Sequence, residues 1–150
     1  MCGDFIRWLR RKLNRPKRVG KDNKFVEEAL SSLPNYGDGV TRMTLDAKFW
    51  MVDKDQMRKI VEEDMTDKRK YRKSLFDCDN FSLMFVNHLA DTYKVNQVGI
   101  VLDYSGAHAY NVIVYPDKSI ELFEPQLDQF FDVDKRDKNK YPLEKGTIIM

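Results

Sequence analysis

Phe76-Asp77-Cys78-Asp79-Asn80-Phe81 opens an apolar run that continues through Ser82-Leu83-Met84-Phe85-Val86 towards Lys94. Cys78, Phe81, Phe85, His88 and Leu89 recur at three- and four-residue steps, the spacing of one helical face. Ser74 and Asp77 are both good helix caps. The pattern therefore predicts a buried helix with Cys78 in its first turn. Unpaired N–H groups and the helix dipole favour an anion there, and a thiol so placed can become a nucleophile. The competing reading is a free cysteine acting as a small hydrophobe, the commonest fate of a buried one.

Strands follow this helix. Val98 to Leu102 reads as a short buried strand, Ala107 to Tyr115 as a second and Ser119 to Pro125 as a third, with Ile148-Ile149-Met150 as a short terminal one. Tyr115-Pro116-Asp117-Lys118 suits a type I turn with Pro in second position. A three-residue loop then sets Val114 opposite Ile120, Val112 opposite Leu122, Tyr110 opposite Glu124 and His108 opposite Gln126. One face carries His108, Tyr110, Val112, Val114, Ile120, Leu122, Glu124 and Gln126. It is apolar near the turn, where it is expected to meet the Cys78 helix, and polar at the open end. There His108 and Glu124 are diagonal neighbours within side-chain reach. A thiol nucleophile needs an imidazole to take its proton and a polar group to orient that imidazole. His88 stands about fifteen ångströms along the helix from Cys78 at the standard rise and reads as structural. His108 is the candidate base, and Glu124 the candidate orienting group.

Ahead of the cysteine, Phe25 to Leu30 reads as one or two helical turns. Leu33-Pro34-Asn35-Tyr36-Gly37-Asp38-Gly39 is a loop by its turn chemistry. Leu45 to Val52 is rich in apolar and aromatic residues. Asp53 or Asp55 is expected to cap a helix from about Gln56 to Asp64, with Met57, Ile60 and Val61 inward. Thr66 to Lys73 is a charged connector.

The chain of 150 residues suits one domain, and 42% apolar residues suffice for its core. No apolar run approaches the roughly 20 residues that span a bilayer. The first residues lack a secretory signal, and the two cysteines, Cys2 and Cys78, fit a reducing compartment, so a cytoplasmic location is expected. The net charge of +2 hides an asymmetry. Residues 1–20 hold seven Lys/Arg against one acid, and the remainder is mildly acidic. Residues 1–20 are read as a basic amphipathic arm and residues 21–150 as the main domain. Phe5, Trp8, Leu9 and Leu13 share one helical face in that arm, and Pro16 ends it. Residues 5–18 could then lie on an anionic membrane or on nucleic acid. Equally, the arm could dock its apolar face on the domain and leave its arginines solvated.

The helix-starting cysteine, followed by a sheet bearing a histidine and then an acid, resembles papain-like cysteine peptidases. More closely, Phe76-Asp77-Cys78-Asp79-Asn80-Phe81, His108-Ala109-Tyr110-Asn111 and Glu124-Pro125-Gln126 resemble the peptidase domain at the C-terminus of mushroom agglutinins and of stand-alone agglutinin-related proteins. Asp46-Ala47-Lys48-Phe49-Trp50 and Tyr71 share the likeness, which runs from Asp46 to Phe131. It implies a papain-like α+β fold, with N-terminal helices and a cysteine-bearing helix packed on a small antiparallel sheet. It also implies calcium-dependent proteolysis, with Cys78 as nucleophile, His108 as base and Glu124 as the orienting residue. Asp79, Asn80 and Gln126 would fall at metal-associated positions, and oxygen donors of this kind suit calcium. Asn80 stands where the family usually has a second Asp, so weaker calcium binding is expected. No glutamine closely precedes Cys78, so an oxyanion would rest on backbone N–H groups.

The expected function is therefore a calcium-dependent cysteine peptidase acting on a protein or peptide substrate. Amidase or acyl-transfer chemistry would use the same three residues. The alternative is an inactive protein of the same fold, serving as an intracellular interaction module of the kind that viruses also encode.

Overall fold

The structure is a computed structural model that describes residues 16–150. The N-terminal arm lies mostly outside the described residues, and with it the helical face expected of Phe5, Trp8, Leu9 and Leu13.

Strand β1 (Val19–Asp22) runs into helix α1 (Asn23–Leu30), whose first turn is capped by the Asp22 carboxylate accepting from the Phe25 N–H at 2.8 Å. Strands β2 (Val40–Met43) and β3 (Lys48–Met51) follow. Helix α2 (Lys54–Glu63) starts at Asp53, the first of the two caps expected, and turns Met57, Ile60 and Val61 inward. Helix α3 spans Cys78–His88 and continues as a wider π turn over Leu89–Tyr93. Lys94 ends it in a left-handed conformation. Then come β4 (Val98–Asp103), β5 (His108–Val114), β6 (Ile120–Glu124), β7 (Gln129–Phe131) and β8 (Gly146–Ile149).

Strands β1 and β3 pair as an antiparallel ribbon. The other six form one sheet in the order β2-β8-β4-β5-β6-β7. Strand β2 is parallel to β8, and the remaining pairs are antiparallel. The hairpin register is the one the turn chemistry predicted, with Val112 opposite Leu122 and Val114 opposite Ile120.

The expectation of a papain-like α+β fold with a small antiparallel sheet is corrected by this architecture. A six-stranded sheet dominates the described chain, which has few helices. The physical reason lies in the short edge strands. Val40–Met43 becomes a strand by pairing in parallel with Gly146–Ile149, more than a hundred residues away. Local periodicity cannot report such a pairing.

The side of the sheet that α3 occupies is also corrected. Alternation along β5 sends Tyr110, Val112 and Val114 to one face, where they join Leu122 and the α1 residues Val26, Ala29 and Leu30. Ile113 and Tyr115 go to the other face. There they meet Phe123, Phe85 and Leu89 together with Met57, Ile60 and Val61 of α2. The cysteine helix therefore packs behind the His108-bearing face, not on it. Both faces of β5 are covered, so Asn111 through Val114 are all buried.

Two buried amides lock these layers. Gln97 donates to the Val52 and Val114 carbonyls and accepts from the Val52 N–H, joining the end of β3 to β5. Asn111 donates to the carbonyls of Ser82 and Gly99, both at 3.2 Å, tying α3 to β4 and β5. Gly99 lies where three side chains crowd: an added Cβ would stand 3.0 Å from Met150 Cβ and 3.1 Å from Val112 Cγ1.

Candidate functional site

The site forms where the first turn of α3 passes the open end of the sheet. Asp77 precedes the helix in extended conformation, and its N–H donates to the Asn80 side-chain oxygen at 3.1 Å. Asn80 thus uses its amide oxygen to fix the helix start. The Ser82 hydroxyl donates to the Cys78 carbonyl at 2.9 Å, and Asn111 holds the Ser82 carbonyl. This short relay seats Cys78 relative to β5.

His108 is the first residue of β5, directly after Ala107, which takes a left-handed φ of 47°. Its Nε2 stands 2.7 Å from Glu124 Oε2. The sequence expectation that His108 and Glu124 meet is realised in this contact. Glu124 is 1% exposed, so its charge needs compensation. Tyr141 donates to the same oxygen at 2.9 Å, Lys140 Nζ approaches it at 3.4 Å, and the Gln126 amide donates to Oε1 at 3.3 Å. Burial pushes the Glu124 carboxyl up, but the His108 hydrogen bond and charge, with Tyr141 and Lys140, outweigh it and hold the group below its ordinary value.

Cys78 and His108 line one cleft of about 410 Å³, with Asp79, Asp103, Tyr104 and Ala107. Asp103 shapes its wall. This carboxylate is 1% exposed and accepts from the Ser105 hydroxyl, the Gly106 N–H, the Tyr110 hydroxyl and the Leu143 N–H. Burial and that contact push the Tyr110 hydroxyl well above its ordinary value. Tyr104 presents an exposed ring at the rim, its hydroxyl donating to Thr147 at 3.0 Å. With Nε2 engaged by Glu124, Nδ1 is the ring's remaining nitrogen, an acceptor when the ring is neutral and a donor when it is charged. The cleft can therefore hydrogen-bond a ligand hydroxyl beside an apolar aromatic face.

Asp77, Cys78 and Asp79 bring one ligand atom each within 4.8 Å of one another. The two carboxylates hydrogen-bond each other, which raises Asp79 and lowers Asp77 from their ordinary values. Oxygen donors in that arrangement fit a hard cation in type. Of the metal positions expected from sequence, Asp79 belongs to this group, while Asn80 and Gln126 direct the polar atoms just described to Asp77 and Glu124. Asp77 is an additional candidate.

Sequence reasoning missed Lys140, Tyr141, Asp103 and the Asn111 relay. The first two act across a long loop, and no periodicity signals them. Buried polar residues inside strongly apolar strands, as Asn111 and Asp103 are, were the available signal. His88 is structural, as expected, lying against Tyr93 and 3.7 Å from Asp64.

A second acidic cluster takes no part in lining the cleft. Burial, with the charges of Asp67 and Asp64, pushes the Asp128 carboxyl up to about 6. A raised carboxylate value means that folding favours the protonated form, so Asp128 opposes stability increasingly as pH rises from about 4 to about 6 and fully above that. Asp128→Asn is expected to stabilise the protein by about 1 kcal/mol at pH 7.5, a figure reduced for solvent screening. It should change little at pH 4. The left-handed φ of 50° at this position is one that Asn tolerates. Urea unfolding at the two pH values measures the difference, and equal effects at both would refute the assignment.

A family model described as "Agglutinin C-terminal" matches residues 49–130. No curated protein is similar enough to match. Among solved structures, one described as the "PSL1a-E64 complex" is 22% identical with a TM-score of 0.67, covering 88% of this chain and 51% of that one. A second, the Polyporus squamosus lectin bound to a human-type influenza-binding epitope, Neu5Acα2-6Galβ1-4GlcNAc, is 21% identical with a TM-score of 0.66, covering 88% and 50%. This chain spans about half the length of each.

These findings correct several expectations. The fold likeness is to a lectin and not to papain-like peptidases. The expectation of a calcium-dependent cysteine peptidase is corrected with it, since the matching family is an agglutinin one and one of the two similar structures is a lectin. The peptide substrate and the inactive papain-like interaction module go with that reading. The anionic partner expected of residues 5–18 falls mostly outside the described residues. The likeness to an agglutinin-related family stands. Among the described residues, no helix is long and apolar enough to cross a membrane.

Proposed function

We propose that this chain, which belongs to the agglutinin C-terminal family, is a ligand-binding module whose cleft between α3 and β5 takes a saccharide. The observation that carries the proposal is the cleft itself, where an exposed tyrosine ring stands beside convergent polar groups. Sites for small ligands combine apolar and aromatic walls with a few placed polar atoms in this way. Tyr104 offers the apolar face to a sugar ring, while His108 and Asp79 offer hydrogen bonds to hydroxyls. Cys78 forms the floor beside them, and Glu124 holds the His108 ring. The saccharide bound by the similar lectin supports the ligand class.

Calorimetric titration with Neu5Acα2-6Galβ1-4GlcNAc tests the proposal. Saturable binding is expected, weakened about tenfold by Tyr104→Ala, equivalent to about 1.4 kcal/mol. Absence of binding at millimolar trisaccharide would refute it.

Calcium is proposed as a companion of the site. Asp79, with Asp77, would supply oxygens, and Asn80 and Gln126 would contribute only if their present hydrogen bonds were exchanged. A bound cation would take the place of the proton that the two carboxyls share beside the cleft. Calcium is expected to raise the unfolding temperature of the wild type and not of Asp79→Asn, read by thermal shift against a chelator. An equal rise in both proteins would exclude Asp79. The free thiol at Cys78 suits a reducing compartment such as the cytoplasm.

A further inference from the structure

The segment from Val133 to Lys145 lies beyond the residues matched to the family, yet it closes around the acid at the centre of the site. Arg136 fixes its course, donating to the carbonyls of Val133, Tyr141 and Pro142. The Leu143 N–H bonds to Asp103 at 2.9 Å. It has no slack against the turn that delivers His108: an added Cβ on Gly106 would stand 2.9 Å from Pro142 Cδ and 3.0 Å from the Lys140 carbonyl oxygen.

From this strap, Tyr141 makes two contacts at once. Its hydroxyl donates to Glu124 Oε2, the atom that also meets His108 Nε2. Its ring packs against the His108 ring at 5.6 Å, backed by Tyr110 at 5.0 Å and Phe131 at 4.6 Å. Lys140 brings its ammonium to that same oxygen, at 3.4 Å. Three donors converging on one buried oxygen fix where that oxygen sits, and so which nitrogen of His108 it captures. Neutral imidazole carries its proton on the nitrogen that has an acceptor, and the other nitrogen is left as an acceptor.

We infer that Tyr141 and Lys140 are positioning residues for His108, acting through Glu124, and that the strap carrying them completes the ligand cleft. It rests on the reading of that cleft as the ligand site only for what the ring is aimed at. The strap holds the imidazole in its Nε2–H form, with Nδ1 presented as an acceptor. Residues outside the family match thereby set the hydrogen-bonding character of the cleft.

Nitrogen-15 NMR of the two histidine rings in the full chain at pH 8 tests the inference without any ligand. His108 in the wild type is expected as a single Nε2–H tautomer, with His88 as internal reference. In Tyr141→Phe/Lys140→Met the excess of that tautomer is expected to fall about fivefold, the worth of one net hydrogen bond. Lys140→Arg, with Tyr141 intact, should keep the wild-type spectrum. If the folded double variant still shows only the Nε2–H form, the strap does not position the ring and the inference is wrong. Should the double variant fail to fold, Tyr141→Phe alone, which keeps the aromatic packing, decides the question by the same spectrum. Failure of trisaccharide binding would sink the ligand class and leave this result standing.

Discussion

Glu124→Ala is expected to cost about 3–5 kcal/mol of stability, the size of the loss when a buried charged pair is broken by removing one partner. The carboxylate is 1% exposed and serves His108, Tyr141, Lys140 and Gln126 together. Removing it strands a buried tyrosine hydroxyl and leaves the imidazole without its acceptor. The pH dependence follows from the lowered value of the group. A depressed carboxylate contributes stability that is present above its unfolded value and is lost as pH falls through its folded value. The variant should therefore lose stability at neutral pH and show a weaker dependence on acid below about pH 4. Urea unfolding across this range measures both effects. A loss below about 1 kcal/mol at pH 7, the size of a surface pair, would mean that the pair is not the buried keystone described.

Phe85→Ala carries an effect of similar size for a different reason. Phe85 is fully buried and stacks on Phe123 at 4.5 Å, beside Ile113 and Tyr115. Truncation leaves a cavity between α3 and the sheet, with an expected cost of about 3–5 kcal/mol. Because α3 carries Cys78, the looser helix should also weaken binding in the cleft. A double-mutant cycle with Phe123→Leu is expected to show coupling of about 0.5–1.5 kcal/mol, whereas a cycle with Val112→Ala, on the opposite face, should be additive. Coupling to Val112 in place of Phe123 would put α3 on the face expected from sequence.

The side on which α3 packs shows what a sequence does and does not carry. The Phe81, Phe85 and Leu89 spacing locates the helix, and Pro116 with its neighbours locates the hairpin and its register. Each signal is local, a periodicity or a turn preference. Together they are enough to bring His108 and Glu124 into contact range. The packing side is not legible, because β5 is apolar on both faces: Val112 and Val114 argue for one, Ile113 and Tyr115 for the other. Strand β2 is invisible for another reason. Four residues, Val-Thr-Arg-Met, become a strand only by meeting the chain terminus.

The site is legible in the same partial way. Cys78 at a helix start and His108 at a strand mouth share a cleft because both elements end at the same rim. Lys140 and Tyr141 could not be foreseen, since a charged tail reads as solvated surface. Asn80 illustrates a third case. Read as a weakened metal ligand, it is engaged in capping the helix that carries Cys78. Chemistry by residue type was right about what an amide oxygen can do and silent about which partner it would find. The functional class did not follow from the three residues themselves, since thiol, imidazole and carboxylate also suit a cleft that binds.

The most direct test of the central claim is the alkylation of Cys78 by iodoacetamide with and without Neu5Acα2-6Galβ1-4GlcNAc, read site by site by mass spectrometry with Cys2 as the internal control. A saccharide seated in the cleft should slow labelling of Cys78 about tenfold at tenfold excess over its dissociation constant, leaving Cys2 unchanged. Unchanged labelling of Cys78 under saturating trisaccharide would contradict the account, because the ligand would then bind elsewhere than the cleft shared by Cys78 and His108.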